Sequence, residues 1–164
     1  MTRIACLMIS LACASVGHSQ EKQSSTEPTK PAADKQSHEG VWKPIAAVLG
    51  GVRLPDEAVK AITLKVSGDK YEVTIEGTKE ADKGTCTLDK TVIPHRMTIT
   101  SDEGPNRGKT MLAIYEMKDA NSMRVCYDLS GKEFPTEFKA PKGTKLYLVG
   151  YRRQPPSDDE EKPK

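Results

Sequence analysis

Two neighbouring runs constrain this chain more than any other feature. Ile62, Leu64 and Val66 alternate with Thr63 and Lys65, and Tyr71, Val73 and Ile75 alternate with Glu72, Thr74 and Glu76. Successive side chains of a strand point to opposite faces, so a period of two buries one face and wets the other. Ser67-Gly68-Asp69-Lys70 between the runs is a hairpin turn. The same rhythm extends over residues 40–153. Strands are expected at 40–49, 62–66, 71–75, 84–88, 95–100, 111–115, 123–129 and 144–152, with turn signals about every ten residues. Residues 54–60 read as one helical turn, with Pro55 at its start and Asp56 and Glu57 in its first turn. In 144–152 both parities are apolar, which predicts a strand covered on both faces. The expected fold is all-β: an eight-stranded antiparallel barrel with one short helix after the first strand.

One stretch imitates a known motif. Gly108-Lys109-Thr110 resembles the end of a phosphate-binding loop, but that loop needs four residues between its glycines, and Gly104 and Gly108 have three. The position that would complete the spacing is Glu103, a carboxylate facing the phosphate. Met111 to Tyr115 then runs as a strand rather than a helix, so the stretch is a turn feeding a buried strand.

The ends differ from the middle. Residues 1–19 have a positive start, an apolar run and small residues before Gln20, the pattern of a secretory signal peptide. A second reading takes Leu11-Ala12-Cys13 as a lipoprotein signal with Cys13 lipidated, but Ser10 stands where such a signal carries leucine. Residues 20–39 are Ser, Thr, Pro, Lys, Glu and Gln with almost nothing to bury, a disordered leader; 154–164 form a charged tail. The chain is thus expected to be exported, periplasmic or extracellular, with one domain at 40–153 and no stretch long enough to span a bilayer. A net charge of +2 with no basic block argues against a nucleic-acid surface.

Several separated motifs carry a resemblance. Gly40-Val41-Trp42, Gly50-Gly51-Val52-Arg53-Leu54-Pro55-Asp56-Glu57, Gly84-Thr85, Gly104-Pro105-Asn106-Arg107-Gly108-Lys109-Thr110, Ile114-Tyr115, Val125-Cys126-Tyr127 and Pro135-Thr136-Glu137-Phe138 occur in that order. In this order they resemble the uncharacterised lipocalin-like domain abundant in planctomycete bacteria, over essentially all of 40–153. The resemblance implies a calycin-type up-and-down barrel and brings no catalytic residues. Cys86 departs from it, since the family usually has another residue after that Gly-Thr, whereas cysteine at position 126 is common. The Gly-x-Trp opening is similar to that of lipocalins, which implies that Trp42 plugs the closed end of the barrel against a basic residue of the last strand, Arg152 or Arg153.

Candidate chemistry is sparse. Of four cysteines, Cys86 and Cys126 remain after the signal, either a disulfide favoured by export or two core thiols in mid-strand. His95 is alone in the folded region; with two separated cysteines it falls short of a zinc set, and no cofactor is expected. Asp56-Glu57 and Asp102-Glu103 read as a helix-start pair and a turn pair, not as acid–base partners. Thr136 and Glu137, with Arg107 and Lys109 as charged neighbours, are the candidates for a ligand site at a barrel mouth. Ala113, Gly150, Val73 and Cys86 are small enough to leave a cavity inside. Three functions follow in order: a non-catalytic carrier of a small apolar molecule, a protein-interaction module with a filled barrel, and last an enzyme.

Overall fold

The computed structural model describes residues 37–155. The expected signal peptide, Cys13 and most of the leader and tail lie outside the described residues. The elements in chain order are β1 (Gly40–Leu49), β2 (Val52–Arg53), α1 (Asp56–Lys60), β3 (Ile62–Ser67), β4 (Lys70–Ile75), β5 (Asp82–Asp89), β6 (His95–Glu103), β7 (Thr110–Asp119), β8 (Ser122–Asp128) and β9 (Leu146–Arg153). From β3 onward each strand pairs antiparallel with the next, and β1 pairs with both β3 and β9. β2 only folds back on the end of β1, so the wall is a closed eight-stranded antiparallel barrel with one short helix after β1 and β2. Closure gives every wall strand two neighbours and leaves no long edge to pair with another chain.

β1 manages this by changing partner along its length. Gly40, Val41 and Trp42 pair with Val66, Lys65 and Leu64 of β3, while Ala46 to Leu49 pair with Gly150 to Tyr147 of β9. The register shifts between Pro44 and Ala46. Proline has no N–H to give a ladder, so a bulge is where it fits. As β1 leaves β3, α1 packs beside both, with Val59 buried. A second irregularity between Lys83 and Gly84 draws β5 close to β6. A Cβ on Gly84 would lie 1.9 Å from the Thr100 carbonyl oxygen, so only glycine fits there.

Residues 37–39 cross one end of the barrel, which also carries the β3–β4, β5–β6 and β7–β8 turns. Trp42 is fully buried there, and its indole Nε1 donates to the His38 carbonyl at 2.9 Å. The Arg153 guanidinium stacks on the Trp42 ring at 4.2 Å and donates to the carbonyls of Ala120, Ser37 and Glu39. The basic partner is therefore Arg153 and not Arg152. Register decides it: Trp42 lies opposite Arg153 on the same face, whereas Arg152 lies opposite Lys43 and points to solvent.

Residues 129–145 form a strap on the outside of the wall. Ile114 and Cys126 face outward on paired positions of β7 and β8, yet they are 1% and 0% exposed. Arg96 stacks on Phe134 and Arg124 on Phe138, and the Cys126 thiol donates to the Lys139 carbonyl. Asp128 anchors the near end, accepting from the Ser130 hydroxyl and from the N–H groups of Ser130, Lys132 and Glu133. Burial alone would raise this carboxyl, but the Ser130 hydroxyl and those backbone donors pull it down to about 2.

Two stability predictions follow from these anchors. Arg153→Ala should lower the unfolding free energy by about 2–3 kcal/mol, because it removes a cation–π contact and three carbonyl contacts, while Arg152→Ala should stay within about 0.5 kcal/mol, both read by urea denaturation. For Asp128 the folded state holds the carboxylate more acidic than the unfolded chain does. Its contribution, on the order of 2 kcal/mol, is therefore present above pH 4 and lost as pH falls from about 4 to 2. Asp128→Asn should flatten that part of the stability–pH curve.

Candidate functional site: an apolar cavity in the barrel

The interior is divided unevenly. Trp42, Ala113, Val125 and Val149, from β1, β7, β8 and β9, are 0% exposed and fill one half. The rest holds a cavity of about 350 Å³, lined by residues of every strand from β3 to β9. Its apolar wall comes from inward positions of the alternating strands: Leu64 and Val66 of β3, Val73 and Ile75 of β4, Met97 and Ile99 of β6. His38 lies on its floor, and its Nε2 donates to the Gly68 carbonyl at 3.2 Å. The opposite end carries α1 and the β4–β5, β6–β7 and β8–β9 connections. There Ile75 and Leu129 line the cavity while remaining 45% and 38% exposed, an apolar stretch of a rim that also carries Glu80 and Asn106.

Two polar groupings interrupt this wall. On one side Asp82, at the start of β5, is 9% exposed. The Tyr71 hydroxyl donates to its Oδ2 at 3.1 Å, and the Ser101 hydroxyl and the Asn106 N–H donate to its Oδ1 at 2.8 and 3.2 Å. Burial, with the Asp82 charge adding to it, pushes the Tyr71 phenol up to about 12. On the other side the Tyr127 and Tyr151 hydroxyls share a hydrogen bond of 3.1 Å, and the Tyr147 ring stacks on Tyr127 at 5.9 Å. Burial raises all three phenols, so they stay protonated as neutral donors.

The four ligand candidates from the sequence do not meet here. Arg107 and Lys109 are exposed on the β6–β7 turn; the Lys109 ammonium donates to the Asn106 side chain, and Arg107 borders a shallow polar groove with Glu72 and Lys83. Thr136 and Glu137 are exposed on the outer strap, where Glu137 pairs with Lys139 at 2.7 Å. None of the four lines the cavity: Arg107 and Lys109 are exposed on their turn, and the long β8–β9 connection that carries Thr136 and Glu137 lies against the outer wall instead of over the mouth. Of the small residues expected inside, Val73 and Cys86 line the cavity, Ala113 sits in the packed half, and Gly150 faces outward toward Ile45. Sequence reasoning missed Asp82, Ser101 and the hydroxyl pair. One signal was available: Asp82 shares the parity of Gly84, Cys86 and Leu88, so a carboxylate occupies the inward phase of a strand.

The cysteines are two free, buried thiols and not a disulfide. Cys86 points into the barrel and Cys126 points out beneath the strap, with β6 and β7 between their strands. At about 4.8 Å per strand step their Cα atoms lie more than about 10 Å apart, beyond the roughly 7 Å a bridge can span. His95 sits at the closed end, away from both thiols, with its Nδ1 donating to the Val92 carbonyl at 2.9 Å. Among the described residues no three His, Cys, Asp or Glu side chains gather as a metal site requires, and no helix is long and apolar enough to cross a membrane. Compared with protein-family models and with curated protein sequences, the chain matches none.

Burial raises both thiols. In a chain starting at Gln20, a charged aromatic disulfide reagent should therefore leave Cys86 and Cys126 unmodified while the protein is folded and label both in urea. Mass spectrometry of the denatured chain without reductant should give the fully reduced mass; a loss of two hydrogens would contradict the placement on opposite faces.

Proposed function

We propose that this is a non-catalytic, lipocalin-like binding protein that holds a small apolar molecule inside its barrel. The single observation that supports the reading is the cavity itself. Its volume of about 350 Å³ falls within the range of small-molecule pockets, roughly 300–1,000 Å³, and its wall is mostly aliphatic with a few placed polar groups. A barrel of this strand number can be filled by its own side chains, and here a cavity remains beside the packed core. Met97, Met111 and Met123 on the wall are unbranched and polarisable, and such side chains repack around varied apolar shapes. A second reading, a protein-interaction module, draws on Leu49, Val52, Ile75 and Leu129, all exposed at the end that carries α1. The open interior ranks it second. The site of action, periplasmic or extracellular, rests on residues 1–19 of the sequence alone.

The test uses N-phenyl-1-naphthylamine, an uncharged apolar fluorophore that brightens on leaving water. Saturable one-to-one enhancement is expected, and Val73→Trp, which fills the space beside β4, should weaken it at least about tenfold while the barrel stays folded. Fluorescence that never saturates, or that is unchanged by Val73→Trp, would remove the interior as the binding place.

A further inference from the structure

The electrostatics of the cavity narrow the kind of molecule it takes, on the premise that the barrel is a carrier. The charged side chains on its wall are Asp82 and Glu80; among the described lining residues there is no lysine and no arginine. Asp82 is the deeper of the two in burial, and its donors are two hydroxyls and a backbone N–H, all neutral. Neutral donors hold this carboxylate, and a charged donor makes a stronger hydrogen bond to it than a neutral one. A carboxylate accepts at about four positions, so Asp82, with three donors, has capacity for one more. Four tyrosines, Tyr71, Tyr127, Tyr147 and Tyr151, share the wall, and the faces of aromatic rings attract cations within about 6 Å. An anionic amphiphile entering here would bring its carboxylate toward Asp82 and Glu80, and the one basic side chain among the described lining residues, His38 on the floor, has its Nε2 engaged by the Gly68 carbonyl.

We propose that the ligand is an apolar amine: a hydrocarbon or aromatic body in the aliphatic half-barrel, with an ammonium group that donates to Asp82. The body answers to Leu64, Val66, Val73 and Ile99, and the cation answers to the one charge held inside. The apolar rim at Ile75 and Leu129 admits the body, and Glu80 lies on the lining as a second carboxylate for an incoming cation.

The experiment displaces N-phenyl-1-naphthylamine from the whole chain at pH 7 with three ligands of one length: decylamine, 1-decanol and decanoate. Decylamine is protonated at this pH, as a lysine side chain is. The expected order is decylamine first, by about tenfold or more over 1-decanol, with decanoate weakest. Asp82→Asn should bring decylamine down to the 1-decanol level and leave 1-decanol unchanged. Asp82 also ties the Asn106 turn to β5, so that variant is used only where its urea midpoint shows a folded protein; the wild-type ladder decides without it. If 1-decanol or decanoate binds as well as decylamine, the ammonium assignment falls and the carrier reading stands. If Asp82→Asn folds and keeps the full amine preference, Asp82 is not the seat. If neither the fluorophore nor any of the three binds, the carrier reading falls and takes the assignment with it.

Discussion

Trp42 is shielded from water because three pieces of chain face it at once. Leu64 lies opposite it on β3, Arg153 lies opposite it on β9, and His38 holds its indole N–H from below. This is the seam where the first and last strands meet, so the contact that buries the one tryptophan is the contact that closes the barrel. Once the seam is closed, the ladder hydrogen bonds of the wall are satisfied by the wall itself. The interior need not be filled for the strands to have partners. The packed half beside the seam, with Val125, Val149, Ala47 and Ala113, supplies the apolar burial, and the half away from it can stay open.

The strap strengthens the same side from without. It covers outward positions of β6, β7 and β8, so Ile114 and Cys126 are buried although they belong to the outer face. Those strands are therefore sandwiched between the interior packing and the strap. β3, β4 and β5 have no such cover in their outward positions: Lys65, Thr74 and Lys83 alternate there with the cavity wall. The molecule thus has a side covered twice and a side covered once, and the cavity is lined from both: by Leu64, Val66 and Val73 on the one and by Met97, Met111 and Met123 on the other.

The barrel was legible because its strands obey a period of two and its turns carry glycine where the backbone needs it. What failed to show in the sequence depends on register and on the path of one loop. Arg152 and Arg153 are equivalent basic residues until β9 is set against β1, and one residue of shift exchanges which of them meets Trp42. Cys86 and Cys126 form an even pair on paper, but their parity relative to the wall puts them on opposite faces. Thr136 and Glu137 looked like mouth residues because a long connection often folds over an opening. Here Asp128 turns the chain at its near end and the two arginine–phenylalanine contacts pin it to the outer wall, and neither of those ring contacts is local in sequence. The alternation did mark Tyr71, Tyr147 and Tyr151; it could not show that Tyr151 and Tyr127 would share a hydrogen bond inside.

The two unusual features of the interior bear on each other. A cavity wall without side chains to fill it forgoes dispersion contacts, and a buried carboxylate held by neutral donors forgoes the stronger hydrogen bond that a cation makes. Either alone could be a tolerated defect. Together they sit in one volume, reached through one apolar rim, and their deficits are of opposite chemical kind: the wall lacks apolar atoms and Asp82 lacks a positive charge. A molecule that supplies only the first leaves the carboxylate as it was, and an inorganic cation supplies only the second. On the proposal above, an amine with an apolar body supplies both in a single binding event, and the charge of the ligand, rather than its size, decides the binding.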